Sequence, residues 1–220
     1  MDANEVASYL KSHPEFFEQY AELLNRIHIP SPHGGKAISI TERQIGNLRE
    51  RVKQLETKLA ELIRFGEEND AIGGKIHRLS AALQGATDLA GALRILYEHL
   101  GEDFAVPHVA IRLWGVVADD PLPEFVAVDS GIKAFAATIQ YPYCGPVRGQ
   151  QAVAWLGERA EHVRSVAQVP LREGGRSDGA CIGLLLLASE EAQRFYPEMG
   201  TLFLQQIGEI AAAALGRLTR

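Results

Sequence analysis

Cysteine is scarce in this chain: Cys144 and Cys181 are the two among 220 residues. Two widely separated cysteines make no disulfide framework, so the composition fits a reducing compartment. Basic residues are outnumbered, 22 against 28 acidic, for a net charge of -6. That balance, with no arginine–lysine stripe carrying interleaved aromatics, excludes non-specific nucleic-acid binding. Long apolar runs are missing too. The longest, Ala180 to Ala188, is far short of the roughly 20 residues a bilayer requires, and no membrane partner is expected. The opening Met1-Asp-Ala-Asn-Glu5 has neither the basic nor the apolar region of a signal peptide, so a cytoplasmic protein is expected. Serine-hydrolase elbows and paired acids in a glycosidase context are absent. Gly34-Gly35-Lys36 lacks the first glycine and the hydroxyl of a phosphate-binding loop. What remains, 46% apolar and 23% charged, is the composition of a folded protein with no visible catalytic apparatus.

The most informative stretch runs from Ser39 to Leu83. Ile45, Leu48, Val52, Leu55, Leu59 and Leu62 recur at alternating three and four, one stripe of a helix. Charged and polar residues flank the stripe almost throughout. A helix with so narrow an apolar side needs a partner helix. β-Branching falls mostly at the a positions and leucine at every d position, the combination that favours a parallel two-stranded coiled coil. In that pairing Arg51 (g) faces Glu56 (e) of the second chain. Beyond Leu62 the stripe resumes one residue early as Phe65, Asn69, Ile72, Ile76, Leu79 and Leu83. This stammer overwinds a coiled coil locally. Gly66, Gly73 and Gly74 lie beside it, and the segment reads as a bend where the helix meets a globular domain, or alternatively as a signalling joint. A homodimer interface through Ile45–Phe65 and Ile72 is expected.

In chain order, residues 3–28 read as two short helices, the second opened by Pro14 and carrying Phe16, Tyr20, Leu23, Leu24 and Ile27. Ile29 to Lys36 is a turn-rich loop. Its His33, with His28 before it, lacks the further ligands a metal site needs. Ser39-Ile-Thr-Glu42 resembles a capping box that starts a helix of some 70 Å at about 1.5 Å per residue. A mixed domain follows. Thr87 caps a helix through Leu100, and Val109, Ile111 and Leu113 alternate as a strand. Phe125 to Val128 reads as a second strand. Ala134 to Ala137 reads as helical, and Gly145-Pro146 as the start of a helix running to about Gly157. Ser165–Leu171 and Cys181–Ala188 form a hairpin about a glycine-rich loop, the second strand apolar on both faces. Pro197 opens a terminal helix with two apolar stripes. The expected segments are 1–36, short helices; 37–84, the coiled-coil helix; and 85–220, an α+β domain with an antiparallel sheet and helices on one face.

That order, the segment Ala188-Ser-Glu-Glu-Ala-Gln-Arg-Phe195 and the closing amphipathic helix resemble a GAF domain. Val6-Ala-Ser-Tyr-Leu10, His13-Pro-Glu-Phe-Phe17, Ser39-Ile-Thr-Glu-Arg-Gln44, Tyr143-Cys-Gly145 and Phe195-Tyr-Pro-Glu-Met-Gly-Thr-Leu202 are similar to the bacterial family called domain of unknown function 484. The GAF resemblance implies a pocket between the sheet and the insertion after its second strand. Phe125, Phe135, Tyr141, Tyr143 and Trp155 are its candidate lining, with Cys144 in the same segment and Arg148 as an anion partner. Bilin, haem and cyclic-nucleotide signatures are missing, and no cofactor is named. A helix starting at Gly145 would lower the Cys144 pKa. Three functions follow as expectations: a non-catalytic dimeric sensor module binding a small molecule or protein, a scaffold whose pocket is filled by its own side chains, and, last, a redox enzyme built on Cys144.

Overall fold

The computed structural model describes residues 2–29, 38–115 and 122–219, and the side chains of 24, 25 and 28–42 are not among those described. Contacts divide the chain into two units, Met1–Glu67 and Glu68–Arg220.

In the first unit, α1 (Ala3–Ser12) opens on a capping box. The Asp2 carboxylate accepts from the Asn4 N–H, and the Glu5 carboxylate accepts from the Asp2 N–H at 2.8 Å. The expected second helix is split at Tyr20 into α2 (Phe16–Gln19) and α3 (Ala21–Arg26). Tyr20 takes φ -121° and ψ 40°, which interrupts the helical ladder, while its ring stacks on Phe16 at 4.9 Å. Two-residue strands β1 (His28–Ile29) and β2 (Ile38–Ser39) pair antiparallel. The capping-box and histidine readings fall on side chains outside those described. Helix α4 then runs unbroken over Ile40–Gln84, through Gly66, Gly73 and Gly74. Up to Phe65 its apolar stripe is bare: Ile45, Leu48, Val52, Leu55, Leu59, Leu62 and Phe65 are 44–67% exposed.

The second unit begins with the rest of α4. Here Ile76, Leu79 and Leu83 are buried in the unit's own core, and Ile72 is partly buried against it. Helix α5 (Leu89–Glu102) follows, capped by Asp88 rather than Thr87: the Asp88 carboxylate accepts from the Gly91 N–H at 2.7 Å. Strands β3 (His108–Leu113), β4 (Tyr143–Pro146), β5 (Ser165–Arg172) and β6 (Cys181–Ser189) form one antiparallel sheet in the order β3-β6-β5-β4. The predicted strand at Phe125–Val128 is instead a 3-10 turn, Pro123–Phe125, because the proline ring fixes φ for a turn and places no N–H into a ladder. Gly145 and Pro146 do not start a helix either. They belong to β4, opposite Val166 and Ser165, an edge position where a proline is tolerated. Helical backbone returns only as a 3-10 segment, Gln151–His162, broken at Gly157 by φ +61°.

Strand alternation gives the sheet two covered faces. Ile111, Leu113, Ala167, Val169, Leu185 and Leu187 pack against α4, α5 and the terminal helix α7 (Leu202–Leu218). Ala110, Val166, Leu184, Leu186 and Ala188 pack against α6 (Ser130–Thr138) and the 3-10 segment. Helix α7 starts five residues after Pro197, which lies in the preceding turn. It approaches β5 closely at Gly208, where a Cβ would come within 2.5 Å of Val169 Cγ1.

Three arginines tie helix ends to the body, each donating to carbonyls at or just past a helix C-terminus. Arg217 Nη2 donates to Leu83 and Ala86 O, both at 3.2 Å, at the end of α4. Arg194 Nη2 donates to Phe104 O at 2.6 Å, just past α5. Arg172 Nη2 donates to Ala137 and Ile139 O, at 3.2 and 2.9 Å, at the end of α6. Replacing Arg172 with Met keeps the stem and removes the donors. The expected loss is about 1–2 kcal/mol of unfolding free energy, since exposed and part-buried carbonyls lose a charged donor. Urea titration of the Arg172→Met chain measures it, and an unchanged midpoint contradicts this role.

Candidate functional site

The middle of the sheet face under α6 is largely apolar, and a polar side chain of β5 interrupts it. Gln168 lies between Ala167 and Val169, is 1% exposed, and extends its side chain towards the α6 side. A buried carboxamide needs partners on both its donor and acceptor atoms. Its Nε2 donates to Gln150 Oε1 at 2.5 Å. Gln150 and Gln151 enter from the loop that follows Gly149, a residue held at φ +77°. Helix α6 closes the opposite side: Asp129 caps it by accepting from the Gly131 N–H at 2.7 Å, which brings Gly131, Ile132 and Phe135 over the glutamines. Together they enclose a cavity of about 150 Å³.

The structure gathers part of the predicted lining and disperses the rest. Phe135 lines this cavity and meets Tyr143 edge to face, with centroids 6.2 Å apart. Tyr143 folds back along β4 over Gly145, where a Cβ would stand 2.6 Å from its hydroxyl. Trp155 is half-buried further along the same face, beneath the Arg112 guanidinium at 5.5 Å. Tyr141 is 64% exposed and Arg148 lies outside the cavity. Phe125 packs with the core on the α5–α7 side of the sheet, beside Glu124, whose carboxylate accepts from the Tyr97 hydroxyl at 2.9 Å.

Cys144 also faces the α5–α7 side, because successive residues of β4 point to opposite faces. The expectation of a helix N-terminus beside its thiol is therefore overturned. Burial instead pushes the thiol up to about 11, and Cys181 is raised as well, again by burial above all. A thiolate is the reactive form, so a two-unit rise leaves about a hundredth of the ordinary thiolate fraction near neutrality. Iodoacetamide at pH 7.5 is accordingly expected to alkylate native Cys144 at least a hundredfold more slowly than the unfolded chain. Peptide mass mapping reads this, and equal rates contradict it. Among the described residues, no three His, Cys, Asp or Glu side chains gather as metal ligands would.

The three glutamines were not anticipated from sequence, although Gln168 carried a signal: it is the polar residue in the middle of the apolar run Val166–Leu171. Carboxamides present donor and acceptor side by side. The arrangement suits a neutral edge that also alternates donor and acceptor, such as an amide or a nitrogen heterocycle. It supplies no counter-charge for an ion.

A family model described as "Protein of unknown function, DUF484" matches residues 1–220. The chain is similar to the "Uncharacterized protein YigA" of Salmonella typhimurium, 26% identical over 227 residues, with 99% of this chain and 92% of that protein covered. It is likewise similar to the Escherichia coli protein of the same description, 25% identical over 224 residues at the same coverage.

Proposed function

The chain belongs to the DUF484 family of proteins of unknown function, and on that premise we propose that it is a non-catalytic regulatory module, a homodimer joined by a parallel coiled coil and carrying a GAF-like sensor domain. The bare stripe on α4 carries this reading. Seven large apolar side chains from Ile45 to Phe65 stand 44–67% exposed at half-heptad spacing. Each gains about 1.5–3 kcal/mol when fully buried, and a second copy supplies a matching ridge. The sensor part is supported by the buried Gln168 carboxamide and its partner Gln150 beside the cavity at Phe135, with a small neutral ligand as the occupant. The thiol chemistry of Cys144 gives no support to an enzyme.

A second reading, a scaffold with no ligand, is favoured by the volume of about 150 Å³, below the 300–1,000 Å³ of ordinary ligand sites. Native mass spectrometry of protein purified from its own cells separates the two. A dimer carrying a constant added mass supports the sensor, and substitution Gln168→Leu should remove that mass while leaving the dimer. A dimer at the bare chain mass supports the scaffold, and a monomer overturns both.

A further inference from the structure

A larger cavity of the second unit is on the other face of the sheet, away from the glutamines. It measures about 390 Å³, within the range of small-molecule sites. Its deep end reaches Leu100 and Leu187, which are 0 and 1% exposed. Phe104, Phe195 and Phe203 line it further, with Met199 beside them. So largely apolar a lining takes a hydrocarbon body.

Charge enters only with the half-buried Lys75 and Arg194. Lys75 Nζ stands 5.8 Å from the centre of the Phe104 ring and has no carboxylate within 4 Å among the described residues. Arg194 commits Nη2 to the Phe104 carbonyl at 2.6 Å and reaches the Ala105 carbonyl at 3.4 Å, which leaves its Nε and Nη1 hydrogens without a described partner. The two carbonyls belong to the turn where Ala105 is held at φ +50°, a conformation uncommon for a residue with a Cβ. Two cations with spare donors beside a deep apolar cavity complement an amphipath with a single anionic head.

We propose that this cavity binds a free single-chain acyl anion, the hydrocarbon tail inserted towards Leu100 and Leu187 and the head held between Lys75 and Arg194. The site is independent of the ligand reading given for the opposite face. Isothermal titration of the full-length protein with sodium dodecanoate, below its micelle concentration, tests it, with dodecanol as the uncharged comparison.

Saturable binding at micromolar Kd is expected, at least tenfold tighter for dodecanoate than for dodecanol. Met199→Trp fills the cavity and should weaken dodecanoate at least tenfold. Lys75→Glu, a change at a half-exposed position, should do the same and abolish the preference over dodecanol. Absence of saturable binding overturns the proposal, as does equal affinity in both variants or equal affinity for the two probes. Flotation of the unmodified chain, but not of Met199→Trp, with phosphatidylglycerol vesicles assigns the cavity to a membrane lipid and overturns the free-anion reading.

Discussion

A chain with Val52→Asp and Leu59→Asp is expected to sediment as a monomer at micromolar concentration, where the proposed coiled coil makes the unmodified chain a dimer. Both positions fall at a in the heptad pattern, and both side chains are more than half exposed on the single chain. Each substitution removes a branched apolar side chain from the seam and sets a carboxylate opposite its own copy. Four such sites per dimer lose the burial gain and add like-charge repulsion in a poorly solvated seam. A weakening of at least a thousandfold, about 4 kcal/mol, is a conservative reading of that sum. Thr57→Asp is the control: it lies at f on the far side of the helix, and its chain should dimerise normally. Sedimentation velocity at micromolar protein distinguishes the outcomes. Dimers in both variants would show that this ridge joins nothing.

Gly183→Val is expected to leave the second unit unfolded. Gly183 is on β6, paired with Leu113 on one side and Leu171 on the other. A Cβ there would stand 2.7 Å from the Arg112 carbonyl oxygen, 2.7 Å from Leu113 Cδ2 and 3.3 Å from Leu171 Cδ1. The first of these is backbone within a ladder, which has no direction in which to yield, and valine adds two methyl groups to the overlap. Overpacking of flexible side chains costs about 1–3 kcal/mol, occasionally more. A clash with the sheet itself belongs above that range and takes a large part of the roughly 5–15 kcal/mol that holds an ordinary domain together. Gly66→Ala makes the contrast, since a Cβ there meets nothing within 4 Å. Removing the helix-interior penalty of glycine should raise stability by about 1 kcal/mol. Circular dichroism melts of the two variants check both statements, and a Gly183→Val chain that melts normally refutes the packing described for β6.

Much of this architecture is legible because local periodicity reports burial. The alternation of Val109, Ile111 and Leu113 marked β3. The two-sided apolar run before Ser189 marked the inner strand β6, and the stripes after Leu202 marked α7. Periodicity does not report what a face is buried against. Phe65, Ile72, Ile76, Leu79 and Leu83 continue the spacing of the coiled-coil stripe, yet from Ile76 onward they are covered by the chain's own core. Only the exposures distinguish the two halves of the pattern.

Residues with two lawful uses were read less well. Gly145-Pro146 opens a helix or occupies an edge strand with equal local ease, and the choice was made by pairing with residues some twenty positions away. Pro123 turned an expected strand into a 3-10 turn. Asp88 displaced its neighbour Thr87 as the cap of α5 because its carboxylate reaches the Gly91 N–H. For the site, aromatic content pointed to Phe135, which lines the cavity, and to Tyr143, whose ring meets Phe135 outside the lining. The carboxamides were missed because glutamines at 150 and 168 become neighbours only when β5 and the loop after β4 are folded.

The central claim is that two copies lie side by side in the same direction along α4. Oxidative cross-linking of a Leu55→Cys, Cys181→Ala chain tests it most directly, because a d position in a parallel pair faces its own copy, Cys144 is buried and the half-buried Cys181 is removed. The account predicts near-complete conversion to a disulfide-linked dimer under mild oxidant, with the helix content unchanged. A chain that stays monomeric on a non-reducing gel, while the introduced thiol remains open to alkylation, would contradict it.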